Sequence, residues 1–320
     1  MAKSIDLHTL IEGFRLYCLA GRKQPTTIRW YMGKLTIFQD YLKDHDIPTE
    51  VSQITITHLR QFLVYLQTEV KADQHNPYKP TQDRGLSPQT IQGYARTLKA
   101  LFSWATAEGY LVQNPAKHLK IPKAPKTILE TFSDEQIRRL LNVIDKRSAV
   151  GFRDYCIILV FLDTGIRLSE LVTLRLPDIH LDQAYFKVLG KGAKERIIPI
   201  GARVQKALWK YIHRYRPEPL HPNIQNVFLT RDGRALSPRT VYQRISDYGK
   251  KAGLTGVRCS PHSFRHTFAK NFLLNGGDAL TLQKILGHTS LEVVRIYVNL
   301  ASKDVQVQHS KASPVDRLKL

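Results

Sequence analysis

The chain has few cysteines and no long uncharged apolar run. Its cysteines, Cys18, Cys156 and Cys259, lie far apart, and none belongs to a CxxC motif or to a Cys/His pair at zinc spacing. This distribution argues against a disulfide framework and a metal site. The lack of any run of about 18 apolar residues argues against a membrane span, and the first residues lack the basic-then-apolar order of a secretory signal. We therefore expect a cytoplasmic protein without a metal cofactor or a membrane partner.

Acidic residues are also in the minority, since 48 Lys and Arg stand against 27 Asp and Glu, a formal net charge of +21. Residues 1–125 carry 16 basic and 10 acidic side chains, and residues 126–320 carry 32 and 17. A polyanionic partner relieves the self-repulsion of such a charge. With 320 residues, 42% of them hydrophobic, the chain is still long enough to form two domains, each with its own hydrophobic core. The composition indicates a two-domain protein that binds nucleic acid, without distinguishing DNA from RNA.

The first part of the chain has apolar residues at helical spacing, which predicts a small four-helix bundle in residues 1–113. Ser87 and Pro88 are typical of a helix start, because serine caps the free N–H groups and proline fits the first turn. The predicted helices begin near Leu7, near Thr27 with Thr26 or Thr27 as the N-cap, near Thr57, and at Pro88.

Residues 114–126, NPAKHLKIPKAPK, contain three prolines and four lysines. Prolines so spaced disfavour both helix and strand, so residues 114–130 are predicted to form an extended interdomain linker. Its lysines suit a path along phosphates, although a solvated linker is the alternative. The second domain, residues 131–320, is predicted to be helical apart from a hairpin formed by residues 184–189 and 196–200. The predicted fold class is therefore mainly α with a small β element (α+β).

Two basic residues stand at positions that suit an anion. Arg167 begins a predicted helix just after Gly165, where the helix dipole favours an anion, and a phosphate bound there would remove the conflict. The alternative is a surface ion pair with Glu170 at i+3. Lys191 lies in the glycine-flanked turn of the hairpin, and most basic tips of this kind are simply solvated.

A predicted helix that starts at Ser260 places His262 and Arg265 on one face, since residues at i and i+3 are neighbours. His266 is expected on the adjoining surface of this helix. A titratable imidazole beside a permanent cation suits a phosphate site, and an ordinary polar helix face is the alternative.

His288 follows a short apolar helix that is predicted to end at Gly287, and Tyr297 lies on the next predicted helix. Taken alone, the spacing of Tyr297 favours a core position, because most tyrosines at such spacing pack in a core. Together the candidates supply two fixed cations, a proton donor, two imidazoles and a phenol. Arginines can clamp a pentavalent phosphate, a lysine can protonate the leaving alkoxide, and an activated phenol can attack. The candidate site residues are Arg167, Lys191, His262, Arg265, His288 and Tyr297.

Four ordered motifs resemble those of the tyrosine recombinase (phage integrase) family, most closely its Xer-like and transposon integrases. They are TGIRLSEL at 164–171, GKGAKERIIPI at 190–200, HSFRHTFA at 262–269 and LGHTS at 286–290, and Tyr297 stands nine residues after His288. The N-terminal bundle resembles the SAM-like core-binding domain of that family, so the resemblance covers nearly the whole chain.

The resemblance implies a role for each candidate. Arg167 and Arg265 would bind and activate the scissile phosphate, and Lys191, with Lys194 as a nearby alternative, would protonate the leaving 5′-hydroxyl. His262 would accept the proton of Tyr297, His288 would donate a hydrogen bond to a phosphate oxygen, and Tyr297 would form a 3′-phosphotyrosyl bond.

The resemblance also implies a two-domain clamp on double-stranded DNA and four protomers assembled on paired, inverted-repeat-like sites. Two duplexes would be exchanged through a Holliday junction without a metal or a nucleotide cofactor, at the nucleoid, and an accessory directionality protein could assist. The tail at 298–320 would dock on a neighbouring protomer, and a packed or frayed tail is the alternative.

Three other functions share part of this pattern. A regulator that only binds DNA would need no Tyr297, and a type IB topoisomerase would use the same nucleophile as a monomer without sequence preference. An RNA-modifying enzyme would share the charge, but the chain has no RRM signature and no pattern for a dinucleotide or methyl-donor cofactor.

Overall fold

The chain divides into two compact units, Met1–Thr127 and Ile128–Leu320. Both are mainly helical, as predicted, and the small sheet belongs to the second unit. In the part of the chain that the structure describes, no helix has the length and apolar character needed to cross a membrane. The computed structural model describes residues 5–74, 80–125, 130–190 and 195–287.

The first unit is the predicted helical bundle around its own apolar core. Ser87 caps its last helix by accepting a hydrogen bond from the amide of Thr90, as the sequence indicates. The predicted cap at Thr26 or Thr27 is wrong, because the second helix already begins at Pro25, whose fixed φ and missing N–H suit the first turn. The helices are α1 (Leu7–Ala20), α2 (Pro25–Asp44), α3 (Ile56–Thr68) and α4 (Pro88–Ala107).

The first residues of the predicted linker pack onto this bundle. Ala116 and Leu119 are buried in its core. The Nζ atom of Lys99 on α4 donates hydrogen bonds to the carbonyls of Ala116, Lys117 and Leu119 at 3.1–3.2 Å. The prolines disfavour helix and strand here, but Ala116 and Leu119, which lie between two of them, still pack into the core of the bundle. Residues 120–125 form neither helix nor strand.

The second unit is built around an apolar helix that ends where the sequence indicates, at Gly165 in the left-handed conformation (φ 58°). Ser133 and Gln136 form a capping box at the first helix of the unit. The helices are α5 (Asp134–Asn142), α6 (Ala149–Thr164), α7 (Leu168–Thr173), α8 (Ala202–Lys210), α9 (Pro238–Lys251), α10 (Pro261–Leu274) and α11 (Ala279–Leu286).

The predicted hairpin is confirmed as strands β2 (Tyr185–Leu189) and β3 (Glu195–Pro199), and a short strand β1 (Ile179–His180) adds a third, antiparallel member in the order β1-β2-β3. Side chains of β3 alternate in exposure, so that Arg196 and Ile198 face the protein while their neighbours face solvent. The sheet thereby directs one arginine inward, toward α7 and α11.

Candidate active site

Arg167 is the N-cap residue of α7 and lies at the edge of a cleft. Its Nη1 donates to Oε1 of Glu170 at 3.0 Å, and its Nη2 donates to the carbonyl of Gly287 at 3.1 Å. Its side chain is 34% exposed. The ion pair with Glu170 therefore exists, but its carboxylate is buried rather than on the surface, and the guanidinium also contacts the end of α11.

Glu170 is the buried anion of this region, with 6% of its surface exposed. Besides Arg167 it binds Arg196 on β3, whose Nη1 and Nη2 donate to its two carboxylate oxygens at 2.7 and 2.8 Å. Burial alone would raise the pKa of Glu170, but hydrogen bonds from Arg196 and Arg167 outweigh burial and leave its pKa below the ordinary value. The carboxylate therefore stays charged between two guanidinium groups.

Arg265 lies on α10 and is 5% exposed. Its Nη1 donates to the carbonyl of Gly165 at 2.6 Å, and its Nη2 donates to the carbonyl of Leu286 at 2.7 Å. These carbonyls are at the C-terminal ends of α6 and α11, where helix dipoles favour a cation. Two helix ends thus position the guanidinium group.

His262 and His266 lie on the first turns of α10 in an edge-to-face contact, with ring centroids 4.1 Å apart and ring planes at 73°. His262 is exposed, but His266 is buried, so the prediction that His266 lies on the adjoining surface is wrong. Desolvation lowers the pKa of His262, and the charge of Arg265 adds to this effect. Desolvation also lowers the pKa of His266 to about 4. Both imidazoles are therefore neutral at neutral pH.

Three of the predicted residues, Arg167, His262 and Arg265, line one cleft of about 340 Å³. The same cleft is lined by two residues that the sequence did not single out, Tyr242 on α9 and Arg258. The Nη2 atom of Arg258 donates to the hydroxyl of Tyr242, and its guanidinium carbon lies 5.7 Å from that ring. Neither residue belongs to a recognisable motif, so only the fold brings them to the cleft.

The other predicted residues, Lys191, His288 and Tyr297, lie outside the described residues. Their described neighbours along the chain are Gly190 at the end of β2 and Gly287 at the end of α11. Among the residues that are described, no three His, Cys, Asp or Glu side chains come together as a metal site would require.

The cleft combines groups that suit a phosphodiester. Two guanidinium groups offer charge-assisted hydrogen bonds to oxygen, and both are held by other contacts, so little reorganisation is needed when an anion binds. A neutral imidazole beside them can accept a proton. The described part of the site can therefore bind a phosphate and take up a proton from an attacking group.

Two family models match the chain. Residues 130–304 match the phage integrase family, and residues 9–121 match the phage integrase SAM-like domain. Among curated proteins, the tyrosine recombinase XerD of Staphylococcus haemolyticus is 30% identical over 87% of this chain and 99% of its own length. The XerD of Listeria monocytogenes is 28% identical over 96% of this chain and all of its own length.

Solved structures share the fold. The integrase of the transposon Tn1549, in complex with a circular intermediate DNA, has a TM-score of 0.72 at 19% identity and covers 92% of this chain and 95% of that chain. The recombinase XerH, bound to palindromic difH substrate, has a TM-score of 0.69 at 21% identity, with coverage of 91% and 80%. The family models, the curated relatives and the fold agree, and the chain belongs to the phage integrase family as a tyrosine-type site-specific DNA recombinase.

Proposed function

We propose that Tyr297 attacks the scissile phosphate of a DNA strand held by Arg167 and Arg265. The tyrosyl oxygen forms a bond to phosphorus, the bond from phosphorus to the 5′-oxygen breaks, and a 3′-phosphotyrosyl adduct results. The observation that carries the proposal is the single cleft that holds Arg167, Arg265 and His262. A phosphodiester as it becomes pentavalent gains charge on its equatorial oxygens, which is where two fixed guanidinium groups are most effective.

Proton transfer accompanies both halves of the reaction. His262 takes the phenolic proton, which its lowered pKa allows because the imidazole is neutral at neutral pH. Lys191 donates a proton to the leaving 5′-oxygen, and His288 donates a hydrogen bond to a phosphate oxygen. No metal and no nucleotide is needed in this scheme, because the phosphotyrosyl bond conserves the energy of the broken phosphodiester.

The adduct is resolved by the 5′-hydroxyl of a second duplex, so that strands are exchanged through a Holliday junction. We propose a homotetramer on paired, inverted-repeat-like sites, with each chain clamping DNA between a core-binding domain (1–113) and a catalytic domain (131–320) joined by residues 114–130. The tail at 298–320 would dock on a neighbouring protomer, and an accessory directionality protein would act on the same assembly. The reaction would take place in the cytoplasm, at the nucleoid.

The test is covalent capture in the presence of a chelator. The full chain and its Tyr297→Phe variant are mixed with genomic DNA of the host and denatured in detergent, and the attached fragments are sequenced. We expect adducts only with Tyr297, concentrated at one paired-repeat site, while the variant binds DNA within several-fold of the original affinity. The captured sequence also shows whether the site belongs to a mobile element or to the chromosome.

Each other outcome contradicts a different part of the proposal. Adducts that persist in Tyr297→Phe exclude this tyrosine as the nucleophile, and adducts lost on chelation exclude the metal-free reaction. Adducts scattered without sequence preference indicate a topoisomerase. A protein that binds DNA and forms no adduct is a regulator.

A further inference from the structure

Arg196 is an arginine near the cleft that three hydrogen bonds hold in place. Its Nε donates to the carbonyl of Ile285 at 2.9 Å, and its two terminal nitrogens bind both oxygens of Glu170 at 2.7 and 2.8 Å. Its side chain is only 13% exposed. The planar fork of a guanidinium fits a carboxylate in this two-point way, which a lysine ammonium cannot reproduce.

The carboxylate of Glu170 is therefore shared between two guanidinium groups with different surroundings. Arg167 is 34% exposed and lines the cleft, whereas Arg196 faces inward from β3 and is not among the residues that line it. Two positive charges against one negative charge leave this cluster at +1. Because Arg196 takes both oxygens of Glu170, the surplus charge is at Arg167, on the side of the cleft.

Arg196 also supports the turn that ends α11. A Cβ atom on Gly287 would lie 3.1 Å from Nε of Arg196, so the turn packs directly on the guanidinium group. The carbonyl of Gly287 accepts from Arg167, while the carbonyl of Ile285 accepts from Arg196. The two arginines thus hold the same turn, one from the cleft and one from the sheet.

We propose that Arg196 is a positioning residue for DNA cleavage, which fixes the guanidinium of Arg167 over the cleft through the shared Glu170 and the α11 turn. The inference rests on the proposed role of Arg167 at the scissile phosphate. Without Arg196, the buried carboxylate has to be neutralised by Arg167, which is drawn away from the phosphate. A displacement of about 1 Å at a reacting centre slows a reaction on the order of a hundredfold.

The test measures the single-turnover rate of adduct formation on a nicked duplex with the captured sequence, at saturating protein, with DNA affinity measured separately. Arg196→Met is expected to slow cleavage about ten- to a hundredfold with little loss of affinity. Adding Glu170→Gln to Arg196→Met should restore part of the rate, because the neutral amide no longer draws Arg167. Arg196→Lys keeps the charge without the two-point contact and should fall between the wild type and Arg196→Met. If Arg196→Met does not fold, this variant carries the test.

A second substrate separates positioning from folding. It carries a methyl group in place of one non-bridging oxygen of the scissile phosphate, so the phosphate is neutral and depends less on a cation. On this substrate, the cleavage rate of Arg196→Met should come closer to the wild-type rate, and so should the cleavage rate of Arg167→Ala. Glu195→Gln, which breaks only the exposed pair with Lys187 on the same strand pair, is the control for disturbance of the hairpin and should match the wild type.

The outcomes separate the inference from the proposed function. If Arg196→Met cleaves the ordinary substrate at the wild-type rate, or stays equally slow on the neutral phosphate while Arg167→Ala recovers, the positioning role is refuted. If Arg167→Ala cleaves the ordinary substrate at the wild-type rate, or comes no closer to that rate on the neutral phosphate, the role proposed for Arg167 is refuted. The role of Arg196 is then refuted as well. A wild-type chain that forms no adduct overturns the proposed function itself.

Discussion

Replacing Gly165 with alanine should destabilise the second unit and misplace Arg265 at the same time. Gly165 has φ +58°, and a Cβ there would lie 2.5 Å from Cδ1 of Phe268 and 2.9 Å from Cδ2 of Leu286. The left-handed backbone costs an alanine about 1–2 kcal/mol, and overpacking a buried site costs about 1–3 kcal/mol. We therefore expect Gly165→Ala to lower the free energy of unfolding by about 2–5 kcal/mol. Because the carbonyl of Gly165 accepts from Arg265, adduct formation should also slow, on the order of a hundredfold.

The assay is equilibrium urea unfolding of the full chain, followed by the rate of adduct formation under conditions where both proteins are folded. Gly256→Ala is the matched control, because Gly256 has φ +74° but no heavy atom lies within 4 Å of the position that a Cβ atom would take there. It should lose only the backbone contribution, about 1–2 kcal/mol, and keep its cleavage rate. Equal losses of stability and equal rates in the two variants would refute the packing argument.

Three further predictions concern charges near the cleft. Arg258→Ala should weaken binding of all DNA sequences alike and reduce the slope of log affinity against log salt by about one, which a salt titration measures; an unchanged slope would mean that Arg258 makes no phosphate contact. Because the pKa of His262 is lowered, the cleavage rate should stay constant as the pH falls through 6.5 and decline only below it, and His262→Gln should remove this acid limb from the pH–rate profile. Desolvation lowers the pKa of His266 to about 4 in the folded chain, against 6.5 in the unfolded chain, so the unfolded state binds more protons between these pH values. The free energy of unfolding should therefore fall as the pH is lowered from 6.5 toward 4. Urea midpoints that do not change with pH in this window would contradict the burial of His266.

The sequence predicted those elements whose signals are local. Ser87 and Ser133 each precede a helix whose first free N–H groups they can bind, and Gly165 and Gly287 each follow a helix that needs a left-handed residue to end it. The start of α2 was misplaced because Thr26 and Thr27 are good caps in isolation, whereas Pro25 already fits the first turn. Local propensity therefore accounts both for the helix ends that the sequence predicts correctly and for the misplaced start of α2.

The sequence analysis does not predict Arg196 and places His266 wrongly on the surface, because the environments of both residues depend on residues that are distant in sequence. The alternation of β3 does contain a signal for Arg196, since it shares the inward face with Ile198, and an inward arginine needs a carboxylate. The sequence does not say that the carboxylate is Glu170, which was paired only with Arg167 at i+3. His266 is buried because α10 packs on more than one side, whereas a helix at a protein surface ordinarily buries one face.

The contacts of Arg265 explain why a site for an anion can be stable before the anion arrives. Carbonyl groups of Gly165 and Leu286 hold its guanidinium through dipoles that carry no net charge, so these contacts satisfy donors without neutralising the cation. Arg167, by contrast, shares a carboxylate, and this carboxylate does not fully compensate the charge of Arg167 because Arg196 binds the same group. One arginine therefore depends on helix ends and the other on a second arginine. The first arrangement follows from where α6 and α11 end, and the second requires β3 to lie beside α7.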